Sequence, residues 1–239
     1  MNKEEFIKEI NNLNISITND ILDKLDAYYN YLYEYNKHTN LTAITNKEDV
    51  YLKHFYDSIT LVKVIDLNSI NNLLDIGSGA GFPGIVLKIF YPHLQVTLID
   101  SNNKKTKFLT EVINKLQLDN IEVINDRVEN FSKNNLNKYD LVTARAVTNL
   151  VVLTELAMPL VNVNKYFIAL KANAENELNN SLYAIDYMHG SIEKIEKFEL
   201  PFNAGVRTII KIIKNKNTIT TELRAYDKII KKPLQKVDK

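Results

Sequence analysis

One stretch constrains this chain more than any other: Leu74-Asp75-Ile76-Gly77-Ser78-Gly79-Ala80-Gly81-Phe82-Pro83-Gly84. It begins as a short apolar strand and ends where an apolar helical run starts. The whole chain has 6 glycines, and four of them (Gly77, Gly79, Gly81 and Gly84) stand in this stretch. Glycines here let the backbone turn sharply and let a ligand approach with no Cβ in the way. Pro83 suits a first helical turn, where its missing N–H costs nothing. A strand, a glycine loop and a helix in this order form the first unit of a doubly wound α/β sheet.

The pattern around the loop agrees. Alternation predicts strands over 72–76, 95–99, 121–124, 139–143 and 166–170. Between them, helices are predicted over 83–90, 104–116, 150–160 and 174–187. Such alternation implies a mostly parallel sheet covered on both faces. Two adjacent strands over 191–200 and 207–213 lack an intervening helix, which suggests an antiparallel strand at one edge. The expected class is α/β with seven strands. Before the sheet, helical spacing over 3–10, 19–36 and 47–65 predicts a helical N-terminal extension, residues 1–66, ahead of a core from 67 to 239. Ile21, Leu22, Leu25, Tyr28, Tyr29, Leu32 and Tyr33 form one stripe there, read as packing rather than base stacking.

Two ligand classes fit the loop. Gly79-x-Gly81-x-x-Gly84 matches the dinucleotide fingerprint. An Asp two residues before the first glycine, as Asp75 stands, is the usual presentation for S-adenosylmethionine. The latter is favoured, with a nicotinamide dinucleotide as the alternative. Asp100 closes the next strand, where a carboxylate accepts from ribose hydroxyls. Asp126-Arg127-Val128-Glu129 follows the third strand, where such sheets meet a nucleobase; an ordinary helix start is the competing reading. Arg145 ends the fourth strand and would project into the crevice.

Absences narrow the chemistry. There is no cysteine, so disulfides, thiolate metal sites and thiol nucleophiles are excluded. C5 methylation of a pyrimidine, which needs a thiolate, goes with them. After the fourth strand stands Ala144-Arg145-Ala146-Val147, not the Asn/Asp-Pro-Pro-aromatic run of exocyclic-amine methylation. A ring nitrogen with a free lone pair needs positioning and no base. The 4 histidines have no metal-ligand spacing, so no metal is expected. His54 and Ser58 share a helix face, as a polar cluster or a wall of the site.

The composition is that of a globular protein, with 45% hydrophobic and 25% charged residues. No apolar run is long enough to span a membrane, and a cytosolic location is the simplest expectation. The net charge of +1 hides an asymmetry. From Gly205 onward there are ten Lys/Arg against three acids, or +7, which leaves −6 for the rest. A basic end on an acidic body suggests a polyanionic partner or a solvated terminus.

Several stretches together resemble one family, the 16S rRNA guanine-N7 methyltransferases, also called glucose-inhibited division protein B. They are Asn40-Leu41-Thr42-Ala43-Ile44, His54-x-x-Asp57-Ser58, Leu74 to Gly84, Asp100-Ser101-x-x-Lys104-Lys105 with Phe108-Leu109, Arg127-x-Glu129, Ala144-Arg145-Ala146-Val147 and Lys171. The resemblance implies a class I, Rossmann-like methyltransferase fold using S-adenosylmethionine on one guanine of the decoding-region loop in the small ribosomal subunit. It implies that Gly77 and Phe82 line the cofactor site, and Gly79 of the same loop is a further candidate. It further implies that Val128 and Glu129 flank the adenine and that Arg145 closes the pocket. Asp100 is assigned from chemistry. Lys104, Lys105, Lys171, Arg207, Lys228, Lys231 and Lys232 are the candidates for rRNA phosphates, and a monomer is expected. The chain departs from the family pattern at Ala172, at Asn162-Val163-Asn164 where a glycine turn is usual, and in a shortened C-terminal signature from Tyr226 to Leu234. A non-catalytic module that binds the cofactor and RNA, a dehydrogenase, and a related methyltransferase with another substrate are the competing readings.

Overall fold

The seven strands of the computed structural model, which describes residues 1–234, are β1 Asn72–Ile76, β2 Gln95–Ile99, β3 Ile121–Ile124, β4 Tyr139–Arg145, β5 Val161–Lys171, β6 Gly190–Glu199 and β7 Val206–Lys214. They form one sheet in the order β3-β2-β1-β4-β5-β7-β6. β1 lies centrally, parallel to β2 and β4, and all its residues after Asn72 are buried. The antiparallel strand is β7. It lies one position in from the edge, between β5 and β6, so the outermost strand again runs with the parallel set. A short connection from β6 permits only a hairpin into β7, and the vacant place beside β5 receives it.

The helices are α1 Lys3–Asn12, α2 Asn19–Thr39, α3 Lys47–Val50, α4 Asp57–Ile59, α5 Gly84–Phe90, α6 Asn103–Lys115, α7 Val128–Phe131, α8 Leu150–Ala157, α9 Glu175–Tyr187 and α10 Tyr226–Lys231. The Thr18 side chain caps α2 by accepting from Ile21 N. Its stripe Ile21, Leu22, Leu25, Tyr28 and Leu32 is buried, whereas Tyr33 is exposed. Each such burial contributes about 1.5–3 kcal/mol relative to exposure. The single helix expected over 47–65 is instead a composite. α3 passes into a π-helical turn, Tyr51–Tyr56, then α4, then a 3-10 turn, Thr60–Lys63. Wider i→i+5 turns of this kind recur where a side chain must be re-aimed, and here the turn carries His54.

Successive residues of a strand face opposite sides, and the core divides accordingly. Leu73, Leu98, Leu141 and Ile168 meet the N-terminal helices, α5 and α6 in one cluster. Leu74, Ile76, Val142 and Phe167 meet α8 and α9 in another. The N-terminal helices therefore share a hydrophobic cluster with the sheet and pack directly on the glycine loop. There Tyr28 stacks on Phe82 with centroids 5.4 Å apart, and its hydroxyl donates to Ala80 O. The glycine turn missing near Asn164 is supplied by that residue, which takes φ 60°. Asparagine tolerates this left-handed backbone better than other side chains. α10 was not foreseen in the sequence; Ile229 docks it against Val152 and Leu156 of α8.

Candidate active site

Two cavities open at the carboxyl ends of the central strands, on either side of Ala146. The first, ≈ 260 Å³, is lined by Gly77, Asp100, Lys105, Val128, Glu129 and Tyr226 among others. The second, ≈ 370 Å³, is lined by Lys53, His54, Asp57, Arg145, Ala146 and Arg207 among others. Such crevices are where open α/β sheets bind ligands.

The glycine loop shapes the first cavity. Gly77 has φ 65° and donates from its N–H to Ile99 O at 2.8 Å. A Cβ at Gly77 would stand 2.7 Å from Val147 Cγ2, so both conformation and space require glycine. Asp100 binds the loop to the next turn: Oδ2 accepts from Gly79 N at 3.0 Å and Oδ1 from Asn102 N at 2.9 Å. Lys105 Nζ stands 3.6 Å from the same carboxylate. Each oxygen keeps acceptor capacity toward the cavity, since a carboxylate takes about four hydrogen bonds. Glu129 is held by Arg127, whose guanidinium lies 4.0 Å from the Tyr226 ring centroid. Tyr226 thereby ties the C-terminal helix to the cavity wall.

Three residues expected at the cofactor do not line the first cavity. Gly79 shapes the loop through Asp100 without lining the cavity. Phe82 is buried in the core instead, stacked on His54 at 4.4 Å and on Tyr28. Its apolar ring is worth more there than at a wet cavity wall. Arg145 lines the second cavity, not the first, because Asp57 draws it across. Ala146, at φ 56°, turns the chain so that Arg145 points to one cavity and Val147 covers the other.

Asp57 organises the second cavity. Its Oδ2 accepts from Arg145 Nη1 at 3.2 Å and its Oδ1 from Arg207 Nε at 2.9 Å. Arg145 Nη1 also donates to Lys53 O at 3.1 Å, and Nη2 meets His54 Nδ1 at 3.2 Å. Nδ1 also stands 3.1 Å from Lys53 O, and Nε2 stands 3.0 Å from Thr42 Oγ1. Burial first, and then the Arg145 charge, push the His54 pKa down to about 3. The imidazole is neutral and both nitrogens are engaged. Ser58 is fully buried, its hydroxyl donating to His54 O, so His54 and Asp57 are walls of the site and Ser58 is packing. Beneath the loop, burial pushes the Asp75 carboxyl up to about 7, against hydrogen bonding from Gly84 N and the Arg145 charge. Its Oδ2 accepts from Gly84 N at 2.9 Å, while Oδ1 has no partner among the described residues.

The basic residues separate into two groups. Lys105 lines the first cavity. Lys171 is turned inward to Thr148 O and to Glu177 at 2.8 Å, and Arg207 to Asp57. Lys211 pairs with Glu193, Arg224 with Glu155, and Lys214 is fully buried on Met158 O. Much of the charge counted in the tail is therefore internal. Lys104, Lys228, Lys231 and Lys232 are exposed; Lys236 and Lys239 lie outside the described residues. Among the described residues no group of three His, Asp or Glu could hold a metal, and no helix is long and apolar enough to cross a membrane. Lys53 and Tyr226 were not foreseen as lining residues, and Asp126 and Ala146 stood only inside longer motifs; Tyr226 carried a signal as part of the shortened C-terminal signature.

The strand order with antiparallel β7, and a glycine loop and acidic strand end framing a cavity, define the class I methyltransferase fold. A precorrin-6y C5,15-methyltransferase from Geobacter metallireducens superimposes with a TM-score of 0.52 at 13% identity, covering 72% of this chain and 90% of that one. A family model, GidB or rRNA small subunit methyltransferase G, matches residues 21–201. The ribosomal RNA small subunit methyltransferase G of Bacillus subtilis is 47% identical over 221 residues, spanning 91% of this chain and 92% of that protein. Its counterpart from Staphylococcus carnosus is 43% identical over 222 residues, with the same coverage. This chain belongs to the rRNA small subunit methyltransferase G family.

Proposed function

We propose that this protein transfers the methyl group of S-adenosylmethionine to N7 of a guanine in small-subunit ribosomal RNA. The observation that carries the choice of atom is the second cavity, which adjoins the cofactor-side cavity and offers no free base. His54 is neutral with both nitrogens engaged, and Asp57 is bound by two guanidinium groups. Guanine N7 carries a lone pair and loses no proton on attack, so orientation and exclusion of water are what the protein must supply.

The first cavity fits the cofactor. Asp100 has acceptor capacity for the ribose diol. The opening turn of α7, at Val128 and Glu129, faces the adenine, and Gly77 leaves room for the backbone to approach. The cofactor brings a methyl group on a sulfonium, an electrophile needing no metal activation. Lys104, Lys228, Lys231 and Lys232, all exposed, are the candidates to meet RNA phosphates, with an affinity that falls as salt rises.

Asp100→Ala removes charge-assisted acceptors and unties Gly79. S-adenosylmethionine binding is expected to weaken by about 1–3 kcal/mol, read by calorimetry. Unchanged affinity would move the ribose off Asp100. The activity itself is tested with labelled S-adenosylmethionine and unmodified small-subunit RNA, naked and assembled, digested to nucleosides for mass spectrometry. A single N7-methylguanosine is the expected product. A different methylated nucleoside, or binding of a nicotinamide dinucleotide in place of S-adenosylmethionine, would overturn the reading.

A further inference from the structure

We propose that the second cavity receives the target guanine with its N1–H and N2–H₂ edge on the Asp57 carboxylate, making Asp57 the residue that selects the base. The proposal rests on the N7 methyl-transfer reading above and adds the element that reads the substrate. Three features lead to it. The cavity, ≈ 370 Å³, shares Ala146 with the cofactor-side cavity, so an occupant of one lies beside an occupant of the other. Asp57 lines it, and the carboxylate is fixed from two sides by Arg145 at 3.2 Å and Arg207 at 2.9 Å. Those two contacts take one acceptor direction on each oxygen. A carboxylate has about four, and the 6% of the Asp57 side chain left exposed is the part the cavity can reach.

Two parallel acceptors are the complement of guanine alone among the RNA bases. Its N1–H and N2–H₂ are adjacent donors on one edge. Adenine and cytosine each place an acceptor nitrogen beside their amine, and uracil has a single N–H between two carbonyls. A carboxylate held rigid by two guanidinium groups therefore binds guanine and repels the lone pairs of the other bases.

The orientation follows from the same contact. N9 carries the ribose and must face the mouth, so the edge bearing N1 goes in first. N7 then lies on a flank of the ring, toward the wall at Ala146 that divides base from cofactor. Arginine placed directly on O6 and N7 would block the attacking lone pair. Here both arginines hold Asp57 instead, and Arg145 also meets Lys53 O and His54. The neutral His54, stacked on Phe82, adds no further positive charge to a cavity already lined by Lys53, Arg145, Lys171 and Arg207.

The test uses the full chain and small subunits reconstituted with RNA bearing guanosine or inosine at the target position. Inosine keeps N1–H and N7 but lacks the N2 amine. The parent protein is expected to methylate inosine about ten- to a hundredfold less efficiently, the loss of one hydrogen bond to a charged acceptor. Asp57→Asn is expected to fall by a similar factor on guanosine and to treat the two nucleosides within about threefold. Its S-adenosylmethionine affinity should stay near that of the parent. A folded Asp57→Asn that still discriminates like the parent overturns the proposal. If that variant does not fold, the parent decides alone, because a guanosine-to-inosine ratio near one also overturns it. No methyl transfer by the parent on either RNA would instead overturn the underlying N7 reading. Transfer without discrimination leaves that reading standing and removes only Asp57.

Discussion

Replacing Arg145 with alanine is expected to cost about 3 kcal/mol of folding stability and to abolish methyl transfer to RNA. Arg145 is 15% exposed and Asp57 only 6%. Taking one partner from a buried ion pair costs about 3–5 kcal/mol, mainly because the other charge is left without compensation. Arg207 remains on Asp57 in the variant, which places the loss at the lower end. The Lys53 carbonyl and His54 Nδ1 lose their donor at the same time. Arg145→Lys should recover about half, because an ammonium can reach Asp57 but cannot also span Lys53 O and His54. Urea unfolding reads the change as a shift in midpoint with an unaltered slope. S-adenosylmethionine affinity should fall far less than in Asp100→Ala, because Arg145 faces the second cavity. The opposite ranking of the two variants would place Arg145 at the cofactor and sink the two-cavity assignment.

That assignment marks where the sequence was legible. The loop from Leu74 to Gly84 announced itself because glycine, proline and a preceding aspartate carry local rules, and β1, β2 and β3 fall where alternation placed them. Asp100 and Gly77 followed from position at a strand end and in a turn. The identities of their neighbours did not. Asp57 meets Arg207 across 150 residues of chain, and Arg145 turns toward Asp57 because of the left-handed backbone at Ala146. No spacing encodes either fact. The basic tail misled for a related reason. Charge counts ignore direction, and Arg207, Lys211, Lys214 and Arg224 each found an internal partner. The few glycines also hid several turns. Asn14, Asn40, Asn120, Asn137, Asn164 and Asn203 all have positive φ, so the many asparagines of this chain do work that glycine usually does.

Asp75→Asn is expected to reveal a pH dependence of stability that the unsubstituted chain conceals. His54 titrates near 3 in the folded protein against 6.5 in the unfolded chain. Between these values the unfolded state holds a proton the folded state lacks, so stability rises with pH. The contribution is present above 6.5 and is lost as pH falls toward 3. Asp75 is the reverse, near 7 when folded against 3.8 when unfolded. Here the folded state holds the extra proton, and the contribution present below 3.8 is lost as pH rises through 7. One proton is worth about 1.36 kcal/mol per pH unit. Over the shared window, about pH 4 to 6.5, the two slopes oppose and nearly cancel. Asp75→Asn leaves the His54 slope alone, and stability should climb by about 3 kcal/mol across that window. His54→Gln should make it fall by a similar amount, and the double variant should restore a flat profile. Surface carboxylates add the same background to every variant and drop out of the differences. Urea midpoints at pH 4, 5 and 6.5 test this directly, and identical profiles in all four proteins would mean that neither group is held in its displaced state. Arg145 links the two, since its charge favours neutral His54 and ionised Asp75. Adding Arg145→Ala to either single variant should therefore move the surviving group's transition to higher pH, joining the stability of the glycine loop to the wall of the second cavity through one side chain.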